Sequence, residues 1–375
     1  MEGPFLEKGN ASSNPARRAI NKIGKTKFTM AKKTTRRPVA VFIKDTHLSP
    51  QTIEINKSIY KQVMDYCVAN EIQKVIHAGD IFTSRASQPL EVLKTFSEIL
   101  KDFSVAGLHL SAIPGNHDKT DLESEFSYLE PFATHPQFYV YNKESFIFLS
   151  DTIILHYLPY FKEHGSYLER LSELQSEEDY FNILVTHIAV TGVKNNDGSS
   201  VENGIKKELF DQFDMTLVGH YHDESWIGDK IWYFPGAYQA NFGENDKKGF
   251  VVLYSDHSFE FVPTVFPKYI KLKVDISNAK EIKRIQKEYA DSPDRVRVIL
   301  TGDETQLGTV NKSKFTDLGI DVSFEKEIAR QDLSAVLEDN TVFNNKTIKD
   351  AFNHFCETND FEDVEVGIKY LRTIL

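Results

Sequence analysis

Cysteine, tryptophan and long apolar runs are what this chain has least of. Its two cysteines, Cys67 and Cys356, sit in unrelated contexts. They exclude a disulfide framework and a cysteine-based zinc site, and they fit a reducing compartment. No stretch approaches the roughly 18 apolar residues that suggest a membrane span. The N-terminal stretch has no apolar signal core, so the expectation is a cytoplasmic protein with no membrane partner. Internal repeats are absent, and so is low complexity outside the first residues. What is there is length: 375 residues, enough for two or three domains and a large core.

Positive charge is also short, and unevenly placed. The net charge is -11. Residues 1–37 carry ten Lys or Arg against Glu2 and Glu7, a balance of +8, which leaves -19 on the remainder. This leader is polar and aperiodic and is expected to be disordered. It reads either as a basic arm for nucleic acid or as a vector-derived segment before a native start at Met30. The acidic body excludes a broad basic binding face, so nucleic acid would have to meet local patches or bound cations.

From Pro38 the chain falls into β/α units. "VAVFIKD" and "KVIHAGD" read as short strands separated by a helical stretch, and "QPLEVLKTFSEILKDF" as an amphipathic helix before the strand and loop "GLHLSAIPGNHD". A helix is expected at "ESEFSYLEPFA". Strands then dominate: "FYVY", "FIFLS", "TIILHYLPY", "FNILVTH", "MTLVGHYH", "IWYFPG" and "GFVVLYS". The pattern predicts an α/β (α+β) fold, two face-to-face sheets flanked by helices, over 38–267. A small β-α-β unit follows over 268–327, then a polar linker over 328–344. Two short amphipathic helices are expected over 345–375, with Ile348, Ala351, Phe352 and Phe355 on the first.

Five strands end in potential ligands: Asp45-Thr46-His47, Gly79-Asp80, Gly115-Asn116-His117-Asp118, Thr186-His187 and Gly219-His220-Tyr221-His222. In an α/β sheet the C-terminal strand ends converge on one rim. Asp, Asn and His without Cys form a hard to borderline donor set, suited to manganese, iron or a similar divalent ion. Residues i and i+2 in extended backbone point the same way, so each D-x-H or H-x-H pair reaches one place. Taken singly, each has an ordinary reading: an Asp after a strand caps or turns, and a lone His is half-buried packing. The joint series is what carries chemistry. His77, His109, His135, His156, His164, His257 and His354 lack such company and read as structural.

The series D-x-H, GD, GNHD, H and GHxH resembles the calcineurin-like metallophosphoesterases. The resemblance implies a double-sandwich fold and two divalent ions per chain, with Mn preferred and Mg or Fe as alternatives. By motif, the first ion takes Asp45, His47, Asp80 and His222, and the second takes Asp80, Asn116, His187 and His220. His117 becomes the catalytic histidine beside the scissile phosphate, oriented by Asp118. The "GDIF" motif together with "YFPGAYQANFGENDKKGFVVL" is similar to the nuclease subunit of SbcCD-type double-strand-break repair complexes. The compact cap and tail look most like that family's T-even phage branch. This implies DNA exonuclease and endonuclease activity in recombination and repair, with 268–327 as a capping domain. It implies 345–375 as the segment that docks an SMC-like coiled-coil ATPase, and a homodimer. Leu90, Leu93, Phe96, Phe126 and Leu129 are the apolar helical positions expected at the dimer seam. A small-molecule or cyclic-nucleotide phosphodiesterase and a non-catalytic scaffold subunit stand as the alternatives. Lys44, Ser49 and Ala237 depart from the residues common in the family without removing a ligand.

Overall fold

The computed structural model describes residues 6–9, 36–195 and 198–326. Its first strands are Leu6–Gly9 (β1), Pro38–Ile43 (β2), Lys74–His77 (β3), His109–Ala112 (β4), Phe138–Val140 (β5), Ser145–Ser150 (β6), Ile153–Leu158 (β7) and Phe181–His187 (β8). Met215–Gly219 (β9), Ser225–Ile227 (β10), Ile231–Tyr233 (β11), Gly249–Tyr254 (β12) and Phe259–Pro263 (β13) complete two large sheets. Tyr269–Asp275 (β14), Arg295–Gly302 (β15) and Ile320–Lys326 (β16) form a third.

One large sheet has the order β13-β12-β2-β3-β4-β5, the other β1-β6-β7-β8-β9-β11-β10. Strands β2 to β5 pair in parallel, as do β7, β8, β9 and β11. Parallel neighbours put their C-terminal ends on the same side, which is what gathers the motif residues.

Alternation along the strands explains the layering. In β2, Ala40 and Phe42 enter the cluster between the sheets with Ile76, Leu155, Tyr157, Ile183, Val185 and Leu217. Val41 and Ile43 point the other way, into a cluster with Ile59, Val63, Phe96 and Phe103 of the helices Ile53–Ala69 and Leu90–Val105. Leu184 of β8 faces a third cluster with Tyr167 and Leu171 of the helix Tyr167–Glu173. A period of two on strands therefore yields four layers, helix-sheet-sheet-helix. The helix Leu90–Val105 buries Val92, Phe96, Ile99, Leu100 and Phe103, the three-and-four spacing of one helical face. A fully buried residue of this size contributes about 1.5–3 kcal/mol.

Three expectations differ from the structure. "ESEFSYLEPFA" is turns and loop with a single 3-10 turn at Glu130–Phe132, because Pro131 and the local Ser124 and Ser127 caps favour turns over a continuous helix. β1 lies on the edge beside β6, inside a leader read as disordered; edge pairing uses backbone donors and needs no periodic side-chain pattern. β10, β13 and the helix Tyr167–Glu173 are additional, each too short to show a period. The rest of the leader up to residue 35, the linker 328–344 and the tail 345–375 lie outside the described residues.

By compactness the chain divides into two units. The larger is Met1–Val274 with Asn278–Ile299 and Asn311–Ser323; the smaller is Asp275–Ser277, Leu300–Val310 and Phe324–Leu375. Inside the smaller, Asp303 caps the short helix Glu304–Gly308 through a reciprocal box with Gln306, and Lys326 pairs with Glu304 at 2.7 Å.

Candidate metal centre

Each motif residue sits at or just past the C-terminal end of a strand. Past β2 and β3 the chains stay side by side through backbone bonds from Asp45 N to Gly79 O and from His47 N to Asp80 O, both 3.1 Å. That pairing forces unusual backbone. Asp45, His47, Asp80 and His220 have φ of 50°, 42°, 58° and 90°, four of the seven non-glycine residues with positive φ among those described. Such strain costs on the order of 1–3 kcal/mol per residue and persists where surrounding structure enforces it. The motif glycines answer a different need. A Cβ at Gly115 would overlap the Asp80 carboxylate, and one at Gly79, already at φ 93°, would overlap the His187 ring.

The side chains converge in two groups that could each hold a cation: Asp45, His47 and His222, and Asp80, His187 and His220. Asp80 also reaches toward the first group, its Oδ2 lying 3.2 Å from His187 Nε2 and 3.8 Å from His47 Nε2. Asn116 Oδ1 lies 3.1 Å from His187 Nε2 and 3.0 Å from His220 Nδ1. The rings of His47 and His222 bring their Nε2 atoms to 3.0 Å.

This packing of acceptors suits a divalent ion. Asp45 Oδ2 is buried with no hydrogen-bond donor. Lys44 Nζ is 3.3 Å away but donates to the carbonyls of Val218 and Tyr221, at 3.1 and 2.6 Å. Buried acceptors left facing one another are costly unless a cation lies among them. His187 donates Nδ1–H to Ala78 O at 2.9 Å, which leaves Nε2 to face two oxygens.

The titration pattern says the same. Burial alone would lower the His187 imidazole, but the Asp80 and Asp45 carboxylates outweigh it and push it up to about 9. His222 also shifts upward, against burial, through its bond to Glu244 and the charge of Asp45. Burial, with smaller repulsion from neighbouring histidines, holds His47 down to about 4 and His220 down to about 3. Burial opposes charge on Asp45 and Asp80 too, yet Lys44 with His222 and His187 keeps Asp45, and His187 with His47 and His117 keeps Asp80, below the usual range. In the metal-free chain, a proton on His187 stands where a cation would.

His117 borders these groups. Its backbone N–H donates to Asp80 Oδ1 at 2.8 Å, and its ring lies 5.1 Å from that of His47. The imidazole is held by the Thr83 carbonyl, 2.5 Å from Nδ1. The motif reading made Asp118 its orienting partner, and here the structure differs. The fully buried Asp118 carboxylate accepts from the backbone N–H groups of Ile81, Phe82 and Gly115 at 3.2, 2.8 and 2.9 Å. It ties the loop after Asp80 to the loop before Asn116. An acidic side chain two residues after a ligand finds backbone donors closer than its neighbour's ring, and the spacing alone did not reveal that.

Two residues the motif reading passed over complete the surroundings. Glu244 Oε1 lies 2.8 Å from His222 Nδ1, and Lys248 Nζ bonds Glu244 Oε2 at 3.0 Å, Asp223 Oδ1 at 2.7 Å and the His222 carbonyl at 2.9 Å. Both lie in the segment "ANFGENDKKGF", whose acidic and basic composition was the available signal. His77 and His156, set aside as structural, are buried and bonded to Thr46 and Asn182 respectively.

The family model for calcineurin-like phosphoesterases matches residues 41–224, the span from β2 past His222. Exonuclease subunit 1 of Enterobacteria phage T4 is 26% identical over 210 residues, 54% of this chain and 59% of that protein. The chain thus spans somewhat over half the length of that relative. The crystal structure of the Pseudomonas putida nuclease MPE overlaps 44% of this chain and 68% of that one, at 13% identity and a TM-score of 0.25. With both large sheets and the rim residues in place, residues 41–224 form a calcineurin-like phosphoesterase domain.

Proposed function

We propose that the chain is a DNA nuclease that hydrolyses phosphodiester bonds with two divalent cations, manganese first among them. The observation that carries the reading is the pair of ligand groups meeting at Asp80, with His117 beside them. The first cation would take Asp45, His47, Asp80 and His222, and the second Asp80, Asn116, His187 and His220. Bound there, two cations supply charge for an in-line phosphoryl displacement and lower the pKa of water. The chain's own residues do the rest. Asp80 presents one oxygen toward the cations and holds the His117 backbone with the other. The Thr83 carbonyl fixes His117 by Nδ1–H, so Nε2 is the atom that meets substrate, and when the ring is protonated it gives its Nε2 proton to the leaving oxygen.

DNA as substrate is supported by the relative named as an exonuclease subunit, and by the rim cations that an acidic protein needs to meet a polyanion. The word subunit in that name favours a partner. In this reading the chain works as a homodimer with an SMC-like coiled-coil ATPase, in recombination and double-strand-break repair. Residues 268–327 then cap the DNA, and 345–375 dock the ATPase. The test is Mn-dependent degradation of linear duplex DNA, with bis(p-nitrophenyl) phosphate in parallel. The expected result is chain cleavage that His117→Ala slows by about 100- to 10,000-fold while two ions per chain remain bound. Turnover of the small diester with no cleavage of DNA, alone or with ATP and the partner, would remove the nuclease reading.

A further inference from the structure

We infer that Glu244 is a positioning residue for the half-site of Asp45, His47 and His222, setting which nitrogen of His222 is free to bind a cation. The inference rests on the proposed metal reading and adds to it a residue that lies outside the motifs.

Glu244 is buried, and its carboxylate collects four donors. Oε1 accepts from His222 Nδ1 and from Asn241 Nδ2, both at 2.8 Å. Oε2 accepts from Ala240 N at 3.1 Å and pairs with Lys248 Nζ at 3.0 Å. An ionised carboxylate only accepts, so the proton of His222 must sit on Nδ1. That leaves the Nε2 lone pair facing the half-site, 3.0 Å from His47 Nε2. A ring with the opposite tautomer would aim an N–H into a group of acceptors meant for a cation. Carboxylates placed behind ligating histidines act in this way, and losing one costs about 10- to 100-fold in metal affinity.

The placement is enforced from several directions. Lys248, its side chain fully buried, grips Glu244 and also the His222 carbonyl at 2.9 Å. Gly236 N donates to the same carbonyl at 2.9 Å. Gln239 Nε2 donates to the Glu244 carbonyl at 2.8 Å. The segment from Gly236 to Lys248 thus holds His222 at both its backbone and its ring. His187 solves the same problem with a backbone carbonyl, from Ala78. Of these two histidines, His222 is the one held by a side chain that substitution can change.

Glu244→Gln offers one acceptor and one donor group where four donors converge, so it cannot satisfy the site in either orientation. The experiment combines nitrogen-15 NMR of the histidines in the metal-free protein with Mn titration by calorimetry. In the wild type, His222 should carry its proton on Nδ1 whenever it is neutral, and two ions should bind. In Glu244→Gln, one ion should bind about 10- to 100-fold more weakly while the other keeps its affinity and circular dichroism is unchanged. Equal binding of both ions by the variant would overturn the inference and leave the metal reading standing. A wild-type chain that binds no Mn would remove both together. If the variant does not fold, the wild-type tautomer decides alone: a proton on Nε2 of His222 overturns the inference.

Discussion

At the scale of single residues, the rim shows carboxylates with different tasks. Asp45 and Asp80 face histidines, and Asp118 faces backbone. Burial and the charge of Asp80 push Asp118 up to about 7, while its three backbone donors pull the other way. Asp118→Asn places an amide N–H₂ against at least one of those donors. Leaving a buried donor unpaired costs about 1–3 kcal/mol, so thermal unfolding should shift down by that amount. If Asp118 instead oriented His117, the variant would lose turnover with its stability intact. His187 supports a second prediction. A ligating histidine must be neutral, and this one is pushed up to about 9 in the metal-free chain. Below that pH a cation has to displace the proton, so metal affinity should rise with pH up to about 9 and level off above it. Calorimetry at pH 7 to 8, in buffers of different ionisation enthalpy, should show at least about one proton released per chain. Binding without proton release would mean that His187 is not displaced by the cation.

At the scale of elements, exposure separates positions that the helical pattern had grouped together. Phe96 and Leu129 are fully buried in the cluster that packs on the six-stranded sheet, whereas Leu90 is 82% exposed and Phe126 75% exposed. Periodicity marks a face, but it does not say whether that face meets a sheet or solvent. Leu93 is half-buried against that cluster, so the exposed part of the proposed dimer seam is Leu90 and Phe126. Leu90→Glu with Phe126→Glu should leave circular dichroism unchanged and halve the mass seen by light scattering. A mass unchanged from that of the wild type would dispose of a seam at these residues. Leu129→Glu, by contrast, buries an unpaired charge and should unfold the domain. The same distinction explains what was legible beforehand. Strands such as "FNILVTH" and "GFVVLYS" are apolar on both faces because both faces are covered, and continuous apolar runs are easily read. β10 and β13, at three and five residues on sheet edges, carry no comparable run. The candidate ligands were legible because each ends or follows a strand, whereas the Asp118 and Glu244 contacts depend on loop geometry that spacing does not encode.

At the scale of the domain, the ligand groups draw on both sheets. Asp45 and His47 follow β2 of the six-stranded sheet, and His222 follows β9 of the seven-stranded one; Asp80 follows β3, while His187 ends β8 and His220 follows β9. Each group therefore spans the interface between the sheets at their common rim. A cation bound there is a cross-link between two layers otherwise held by the apolar cluster of Phe42, Ile76, Tyr157 and Val185. Binding to the folded state alone stabilises it by RT ln(1 + [L]/Kd), about 2.7 kcal/mol when the free ion is 100-fold above Kd. For a domain of this size that corresponds to a rise in Tm of roughly 5–10 °C. Because the ligands come from both sheets, the rise should appear in a single cooperative transition, followed equally by tryptophan fluorescence from Trp232 on β11 and by far-UV circular dichroism. Mn should raise Tm by that amount over EDTA, and Asp80→Asn, with the carboxylate shared between the two groups reduced to an amide, should lose most of the increment. Two separated transitions, with only one of them sensitive to Mn, would show that the cations organise a loop rather than join the sheets.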